Sequence, residues 1–396
     1  MLSFTMKGMH PVTPRSAEDM ALTLREAAAK GRTVGAFGNN SKRLMAGPLL
    51  PADVTVSTAG LCRVLQYEPN DLTISVEAGM PFAELQALLA RHGQMIALDP
   101  PFSAQATIGG VVASNSNGPM RRCFGTARDL VIGMKFATLD GSIVSTGGMV
   151  VKNVAGLDMG KIMIGSFGTL AVITSLNFRL HPLPEETHTF LFTFPALEAV
   201  IEKRNAILQS VLRPMAMDLI SPPAAARLGA RGYVLAIRAS GSPNVLARYA
   251  RELSGGELRV GPDDVKWWAQ IQEFPGDFLR RQRNGVVLRI STKLSDTGAL
   301  LRLISGASIS RAASGVTYVY LTSWQAVQAL WRAARENGWS AVVEFAPEEN
   351  RTPPANDLWL LGESTRSRDS FAIMKKVKHM FDPNNLLNRS RLHGRI

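Results

Sequence analysis

The sequence predicts an α+β protein built from more than one domain, and three observations carry that expectation. The 396 residues are enough for two or three cores at the usual ~100–200 residues per domain. Helix and strand signals alternate through the first half. Beyond a proline-rich break at "RLHPLPEET", residues 179–187, helical stretches alternate with short strands, the pattern of a sheet covered by helices. Apolar residues make up 46% and charged residues 19%, the balance of an ordered chain and not of a disordered one.

Ser16 before "AEDMALTLREAAAKG" is a helix N-cap, with Glu18 and Asp19 in the first turn and Gly31 as the stop. "RTVGAF" follows as a buried strand. "LTISVEAG" alternates as a half-buried strand. In "MPFAELQALLARHG", Pro81 stands near a helix start and Phe82, Leu85, Leu88 and Leu89 share one face. The stretch from Asp129 to Leu180 is strand-rich, and "DLVIGMKFATLDGSIV" holds an Asp-Gly turn between two β-prone runs, which predicts a hairpin. Past the break, "ALEAVIEKRNAILQSVL" and "SWQAVQALWRAARENG" read as helices, and "YVLAIRAS", "GVVLRIST" and "GVTYVYL" as strands. No internal repeat and no low-complexity tract is apparent.

The formal charge is +12, and residues 365–396 hold eight Lys or Arg against two Asp, half of that excess. Such a tail suits an anionic partner: an acidic subunit first, a membrane surface second, with an ordinary solvated basic surface as the plain alternative. No aromatic RNA-binding signature accompanies the charge, so nucleic acid is not expected. Two cysteines, Cys62 and Cys123, cannot supply a disulfide framework, a four-cysteine zinc site or an iron–sulfur cluster. The histidines at 10, 92, 181, 188, 379 and 393 form no metal-binding spacing, so no metal site is expected. No run of about 18 apolar residues is present and the start lacks a continuous apolar core; a cytoplasmic place is expected, with peripheral attachment to the inner face of the cell membrane as a variant.

Familiar nucleotide and hydrolase motifs fail. No G-x-G-x-x-G follows a strand, "GLDMGKIM" has the wrong glycine spacing and Ile162 where a P-loop needs Ser or Thr, and no G-x-S-x-G elbow occurs. Three glycine-bearing stretches remain. "VGAFGNNSK", 34–42, reads either as an ordinary strand-to-loop turn or as a nest of backbone N–H groups for an anion, with Ser41 and Lys42 adding donors. In "ATIGGVVASNSNG", 106–118, the missing side chains at Gly109 and Gly110 let main chain approach a ligand, or equally pack a turn on a helix. "GSFGTLAVITSLNFRL", 165–180, is a glycine turn feeding an apolar strand.

The order of these blocks, with "QYEPNDLTISVEAGMPFAELQALL", "GQMIALDPP", "FGTARDLVIG", "VKNVAGLDMGKIMIGSFGTLAVIT" and "MFDPNNLLNRSRL", resembles the PCMH-type FAD-binding proteins of the vanillyl-alcohol oxidase superfamily. Within it, the chain is most similar to the FAD-binding subunits of bacterial glycolate oxidases. The resemblance implies a PCMH-type FAD-binding domain of two α/β subdomains over residues 1–182 and a ferredoxin-like α+β cap over 183–360. A basic C-terminal helix and tail, 361–396, would return to the FAD domain. It assigns Gly38, Asn39, Asn40 and Ser41 to the FAD diphosphate. Thr107, Ile108, Gly109, Gly110, Ala113, Ser114 and Gly118 fall beside the pyrophosphate and flavin, with Pro101 preceding them. Gly125 and Asp129 belong to the ribityl and adenosine end, and Val172 and Ile173 to a strand against the adenine or isoalloxazine. Phe381, Asp382 and Asn388 read as a helix-ending turn or as a wall beside the flavin.

Some members attach flavin through a histidine in the first loop; none stands there, so FAD is expected noncovalently. Relatives that oxidise 2-hydroxy acids themselves carry a G-D-G-N-x-H segment in the C-terminal domain, and this sequence has none, so no catalytic base is assigned. The function expected from the resemblance is an FAD-binding, electron-relaying subunit of a glycolate (2-hydroxy acid) oxidase. Its partners would be a second FAD-containing subunit and an iron–sulfur subunit. The alternative is a self-sufficient FAD-dependent oxidase or dehydrogenase of a hydroxy acid or sugar lactone, with Arg289 clamping a carboxylate. Arg121, Arg122 and Lys152 are either flavin-side cations or solvated charges.

Overall fold

The computed structural model describes residues 11–149, 158–351, 365–392 and 396. Lys152 therefore lies outside the described residues. The N-terminal half opens with α1 (Ala17–Ala29), where the Ser16 hydroxyl accepts the amide of Asp19 and Met20, Leu24 and Ala27 form the buried face. It covers β1 (Val34–Phe37), which pairs in parallel with β2 (Val54–Ser57). Only Val34 of β1 is fully buried, because the strand's other side faces a cleft.

Next come β3 (Val64–Glu68), β4 (Thr73–Glu77), α2 (Phe82–Ala90), β5 (Gln94–Met95), α3 (Ile108–Ala113), α4 (Arg121–Phe124), α5 (Ala127–Leu130), β6 (Val131–Ala137), β7 (Ile143–Gly147), α6 (Gly160–Met163), β8 (Val172–Arg179) and β9 (His181–Pro182). Five of these strands form an antiparallel sheet in the order β3-β4-β8-β6-β7. The β6–β7 hairpin turns at Asp140-Gly141, with Gly141 at φ +86° and the Asp140 carboxylate accepting the Ser142 amide. All five residues of β4 are buried, so "LTISVEAG" is a covered strand and its alternation does not expose one side. Phe82, Leu85 and Leu89 of α2 pack with Ile108, Val111 and Val112 of α3 on this sheet, each large side chain contributing about 1.5–3 kcal/mol by burial.

The second half is a sheet of eight antiparallel strands. It runs β10 (Glu186–Phe194), α7 (Leu197–Gln209), β11 (Ala216–Ile220), α8 (Pro222–Arg227), β12 (Tyr233–Gly241), α9 (Pro243–Glu252) and β13 (Glu257–Val260). The long α10 (Pro262–Arg281) then leads to β14 (Val286–Ser291), α11 (Thr297–Arg302), β15 (Ala307–Arg311), β16 (Val316–Leu321), α12 (Trp324–Glu336) and β17 (Ser340–Phe345). The strand order β13-β10-β12-β11-β15-β16-β14-β17 resolves into two β-α-β-β-α-β units, each with its first strand between its fourth and third, as in ferredoxin-like folds. They join edge to edge through β11 and β15, where Asp218 stands opposite Arg311 and hydrogen-bonds its guanidinium. The halves repeat as topology without repeating as sequence. Residues that alternate along the strands bury both faces: Leu219 and Leu235 toward α7 and α9, Ile220 and Ile309 toward α10. Pro275 and Gly276 lie inside α10, yet Trp267, Trp268, Ile271, Phe274 and Phe278 hold it on the sheet; packing outweighs local propensity there.

Residue contacts from α10 and β17 bind this sheet to the N-terminal half. The Glu273 carboxylate accepts the amides of Phe102 (2.8 Å) and Ser103 (2.9 Å), and Gln272 donates to Pro100 O at 2.9 Å. The amide of Ala46 donates to Glu344 O and that of Ala346 to Leu44 O. The last helix, α13 (Thr365–Phe381), leads into a segment that runs beside β1: Val34 N donates to Leu386 O at 2.8 Å and Asn388 N to Val34 O at 2.9 Å. Lys378 is buried beneath it, donating to Asp382 (2.6 Å), Thr169 O (2.8 Å) and Leu387 O (2.9 Å). Burial lowers the Lys378 pKa, and the hydrogen bond to Asp382 works against that.

Candidate functional site

Three bends of nearly bare main chain meet over β1. The first is the loop from Gly38 to Lys42, with Asn40 at φ +55°. A Cβ on Gly38 would lie 2.2 Å from Thr107 Oγ1, so only glycine lets this loop close on the second bend. That second bend is α3 itself. There the Thr107 hydroxyl caps a short helix by accepting the Gly110 amide at 3.2 Å. Its two glycines divide the two roles left open by the sequence. A Cβ on Gly109 would sit 2.7 Å from both the Cβ and the carbonyl oxygen of Ala78, so Gly109 serves close packing. On Gly110 a Cβ would meet only Thr107 Oγ1, at 3.1 Å, and otherwise open space; Gly110 faces the cleft. The third bend, at Phe167 (φ +54°) and Gly168 (φ +68°), leads into β8.

Asn388 ties the bends together from the far end of the chain. Its side-chain oxygen accepts the Ala36 amide at 2.7 Å, and its nitrogen donates to Ala36 O at 3.0 Å and Phe167 O at 2.9 Å. The result is a cleft of about 830 Å³, open solvent at its mouth included. Its lining takes in Gly38, Asn39, Asn40, Ser41, Thr107, Gly109, Gly110, Ala113, Ser114, Val172 and Ile173. Pro101, Ile108, Gly118, Gly125 and Asp129 lie away from that lining. Ile108 packs in the core, Gly118 makes room for Asp99, and Asp129 caps α5 by accepting the amide and hydroxyl of Thr126 beside Gly125.

Among the described residues no Asp or Glu lines the cleft, but two cations do: Lys42 and Arg391. Arg391 donates to Met45 O at 2.8 Å and to Gly47 O, and stands over the Phe167 ring. Burial, with Arg351 adding, lowers its pKa to about 9. Lys42 is 9% exposed and its Nζ has no hydrogen-bond partner among the described residues. Burial brings it down to about 8, with Glu273 acting in the opposite direction. Lys42 was visible in sequence as the cation ending the first loop; Arg391 was not, being one of many in a basic tail.

Ser114 and Phe167 also line a second cavity of about 870 Å³, between this cleft and the eight-stranded sheet. Arg121, Arg289, Tyr318 and Glu344 face it. Arg289 and Glu344 are joined at 2.7 Å. Burial opposes the Arg289 charge, and the neighbouring Glu344 carboxylate more than restores it. Burial pushes the Tyr318 phenol up. Arg121 makes no ion pair among the described residues. No cluster of three His, Cys, Asp or Glu suited to a metal occurs among the described residues.

An FAD binding domain family model matches residues 10–147, and the model for the C-terminal domain of FAD linked oxidases matches residues 361–392. The chain thus carries an FAD binding domain and a stretch of the C-terminal domain of FAD linked oxidases. The chain is 31% identical over 239 residues to "Glycolate oxidase subunit GlcE" of Escherichia coli, covering 60% of this chain and 62% of that protein. It is 29% identical over 161 residues to "Glycolate oxidase subunit GlcD" of Bacillus subtilis, covering 41% of this chain and 34% of that one. A "D-2-hydroxyglutarate dehydrogenase" of Xanthomonas citri is 24% identical across 96% of this chain and 88% of its own. Both glycolate oxidase subunits are thus spanned over less than two thirds of their length. The fold matches that of 4-ethylphenol oxidase from Gulosibacter chungangensis, with TM-score 0.71 and 14% identity over 96% of this chain and 88% of the other. It also matches alkyldihydroxyacetonephosphate synthase, with TM-score 0.70 and 16% identity over 95% and 75%.

The residues present fit FAD, the group that the matched domain families bind. The cleft has an open glycine face, neutral hydroxyl and amide donors, an apolar wall at Val172 and Ile173, and a buried ammonium without a partner, a donor set matched to a flat aromatic group linked to a diphosphate.

Proposed function

We propose that this chain is the FAD-binding subunit of a 2-hydroxy acid oxidase of the glycolate oxidase kind, holding FAD noncovalently and relaying electrons. Its partners would be a second FAD-containing subunit, which handles substrate, and an iron–sulfur subunit. When bound, FAD supplies reversible two-electron chemistry. The backbone amides from Gly38 to Ser41 and the side chains of Asn39, Asn40 and Ser41 hold the diphosphate. Gly110, Ala113 and Ser114 would face the flavin, and Val172 and Ile173 would form the apolar wall beside it. Among the described residues no His, Cys or Tyr lines the cleft to take a covalent bond to the ring, which supports noncovalent binding.

The observation that carries the subunit reading is the state of the second cavity. Among the described residues its one carboxylate, Glu344, is held by Arg289, and no histidine lines it. A group able to take a proton from a hydroxy acid has to be free and within hydrogen-bond reach. The names of the Escherichia coli and Bacillus subtilis relatives agree with a subunit role, and with two cysteines the chain cannot hold a cluster itself. Exposed Lys375, Lys376 and His379, with Ile373 and Met380 on the same helix, offer a basic and apolar face for an acidic subunit. No helix among the described residues is long and apolar enough to cross a membrane.

Arg121 favours a second reading, a self-sufficient dehydrogenase in which that guanidinium takes a substrate carboxylate in the second cavity. Turnover decides between them. The purified, FAD-loaded chain is assayed with glycolate and D-lactate and a dye acceptor. No dye reduction alone, and reduction once the partner subunits are added, supports the subunit reading; turnover by the single chain overturns it.

A further inference from the structure

We propose that Lys42 is the cation that opposes the negative charge of the reduced flavin ring, with Arg391 fixing the turn that aims it. This rests on the reading of the cleft as the FAD site and names what one of its side chains does there.

Lys42 lines the cleft, is nine-tenths buried, and its Nζ has no partner among the described residues. A buried ammonium left unpaired is costly, so its place in the fold calls for an anion. Glu273 is the acid whose charge acts on it. Its two oxygens are already taken by the amides of Phe102 and Ser103 and by the Ser103 hydroxyl, and no ion pair joins it to Lys42. The anion therefore comes from the ligand.

FAD offers two: the diphosphate and the reduced ring. Two electrons and one proton added to a neutral ring leave it with one negative charge. The position of Lys42 selects the ring. Its carbonyl accepts the amide of Met45 at 2.9 Å, and the carbonyl of Met45 accepts from Arg391 at 2.8 Å. Met45 lines the second cavity, and Arg391 lies over Phe167, which lines both. Lys42 and Arg391 thus flank the turn at the end of the cleft that adjoins the second cavity. The reactive part of a bound FAD has to reach that end to meet anything held beyond it. The diphosphate has its own neutral donors in the loop before Lys42.

The test uses FAD-loaded wild type, Lys42→Met and Lys42→Arg. Sulfite binding, read by bleaching of the visible flavin band, and the midpoint potential are measured, with FAD retention read separately. Sulfite adds to a flavin only where a positive charge steadies the anionic product. Wild type is expected to bind sulfite. Lys42→Met should weaken sulfite binding by about tenfold or more, the factor that goes with roughly 1.4 kcal/mol, and should lower the potential, while Lys42→Arg keeps both. If Lys42→Met leaves sulfite affinity and potential unchanged, the proposal is wrong, whether FAD retention falls, which assigns Lys42 to the diphosphate, or holds. Should Lys42→Met retain no FAD, wild type and Lys42→Arg decide: a wild-type flavin that refuses sulfite, or an arginine variant that loses it, overturns the assignment. Wild type that takes up no FAD at all overturns the cofactor site instead, a result visible before any variant is made.

Discussion

The two cavities that meet at Ser114 and Phe167 are built in opposite ways. The cleft over β1 is walled by main chain, small residues and neutral donors, and it leaves Lys42 without a partner. The cavity against the eight-stranded sheet sets three charged side chains, Arg121, Arg289 and Glu344, among apolar and neutral ones, and Arg289 and Glu344 satisfy each other. The first is incomplete until a ligand arrives; the second has most of its charge settled within the protein. An unpaired charge in a low-dielectric site marks where a ligand's opposite charge is expected, and a paired one marks structure.

The sharpest way to break this contrast is to fill the glycines of α3. Gly109→Val should cost about 3 kcal/mol, because its Cβ would sit 2.7 Å from Ala78 main chain with nothing flexible to yield. Gly110→Val should hold its thermal midpoint and purify without FAD. A Gly110→Val protein carrying wild-type flavin would place the cofactor elsewhere. Next in size, Glu344→Gln removes the partner of Arg289 on the sheet side and should cost about 1–3 kcal/mol in denaturant unfolding. FAD content should not move. If it falls with Glu344→Gln, the two cavities are not independent.

Smaller effects come from pH. Lys42, at about 8 in the free chain with Glu273 as its opposing charge, is protonated below that value and neutral above. The midpoint potential of the FAD-loaded chain should therefore fall more steeply as pH rises through about 8 than it does in Lys42→Met, where no ammonium is lost. Asp99 gives the smallest effect. Burial raises it to about 7, against the Met120 amide it accepts and the nearby Arg311. Its folded pKa lies above its unfolded one, so its contribution is present below the unfolded value and lost as pH rises through about 7. Asp99→Asn should raise stability by about 1 kcal/mol at pH 8 and leave it unchanged at low pH. A gain equal at both ends would exclude titration as the cause.

Much of the scaffold was legible from local chemistry. Ser16, the acids after it and Gly31 delimit α1; Asp140-Gly141 turns the hairpin; the strands "YVLAIRAS", "GVVLRIST" and "GVTYVYL" appear as β12, β14 and β16. The capped helix at Thr107 was not legible, because its two glycines read as a bend until the Thr107 hydroxyl is seen to hold the Gly110 amide. Nor was the burial of β4, since its second covering layer comes from residues far along the chain.

By itself the sequence determined the mixed helix and strand character, the three glycine-bearing bends and, through their order, the cofactor class, because spacing, caps and missing side chains act over a few residues. Tertiary structure alone decided which of those glycines faces open space, that Asn388 clamps Ala36 from 352 positions away, and that two ferredoxin-like units join through β11 and β15. It also decided that Arg289 is paired while Lys42 has no partner among the described residues. The reason is physical: a side chain's charge and hydrogen-bonding capacity are fixed by its type, but the groups that satisfy it, and the water it loses, are set by segments that meet only when the chain is folded.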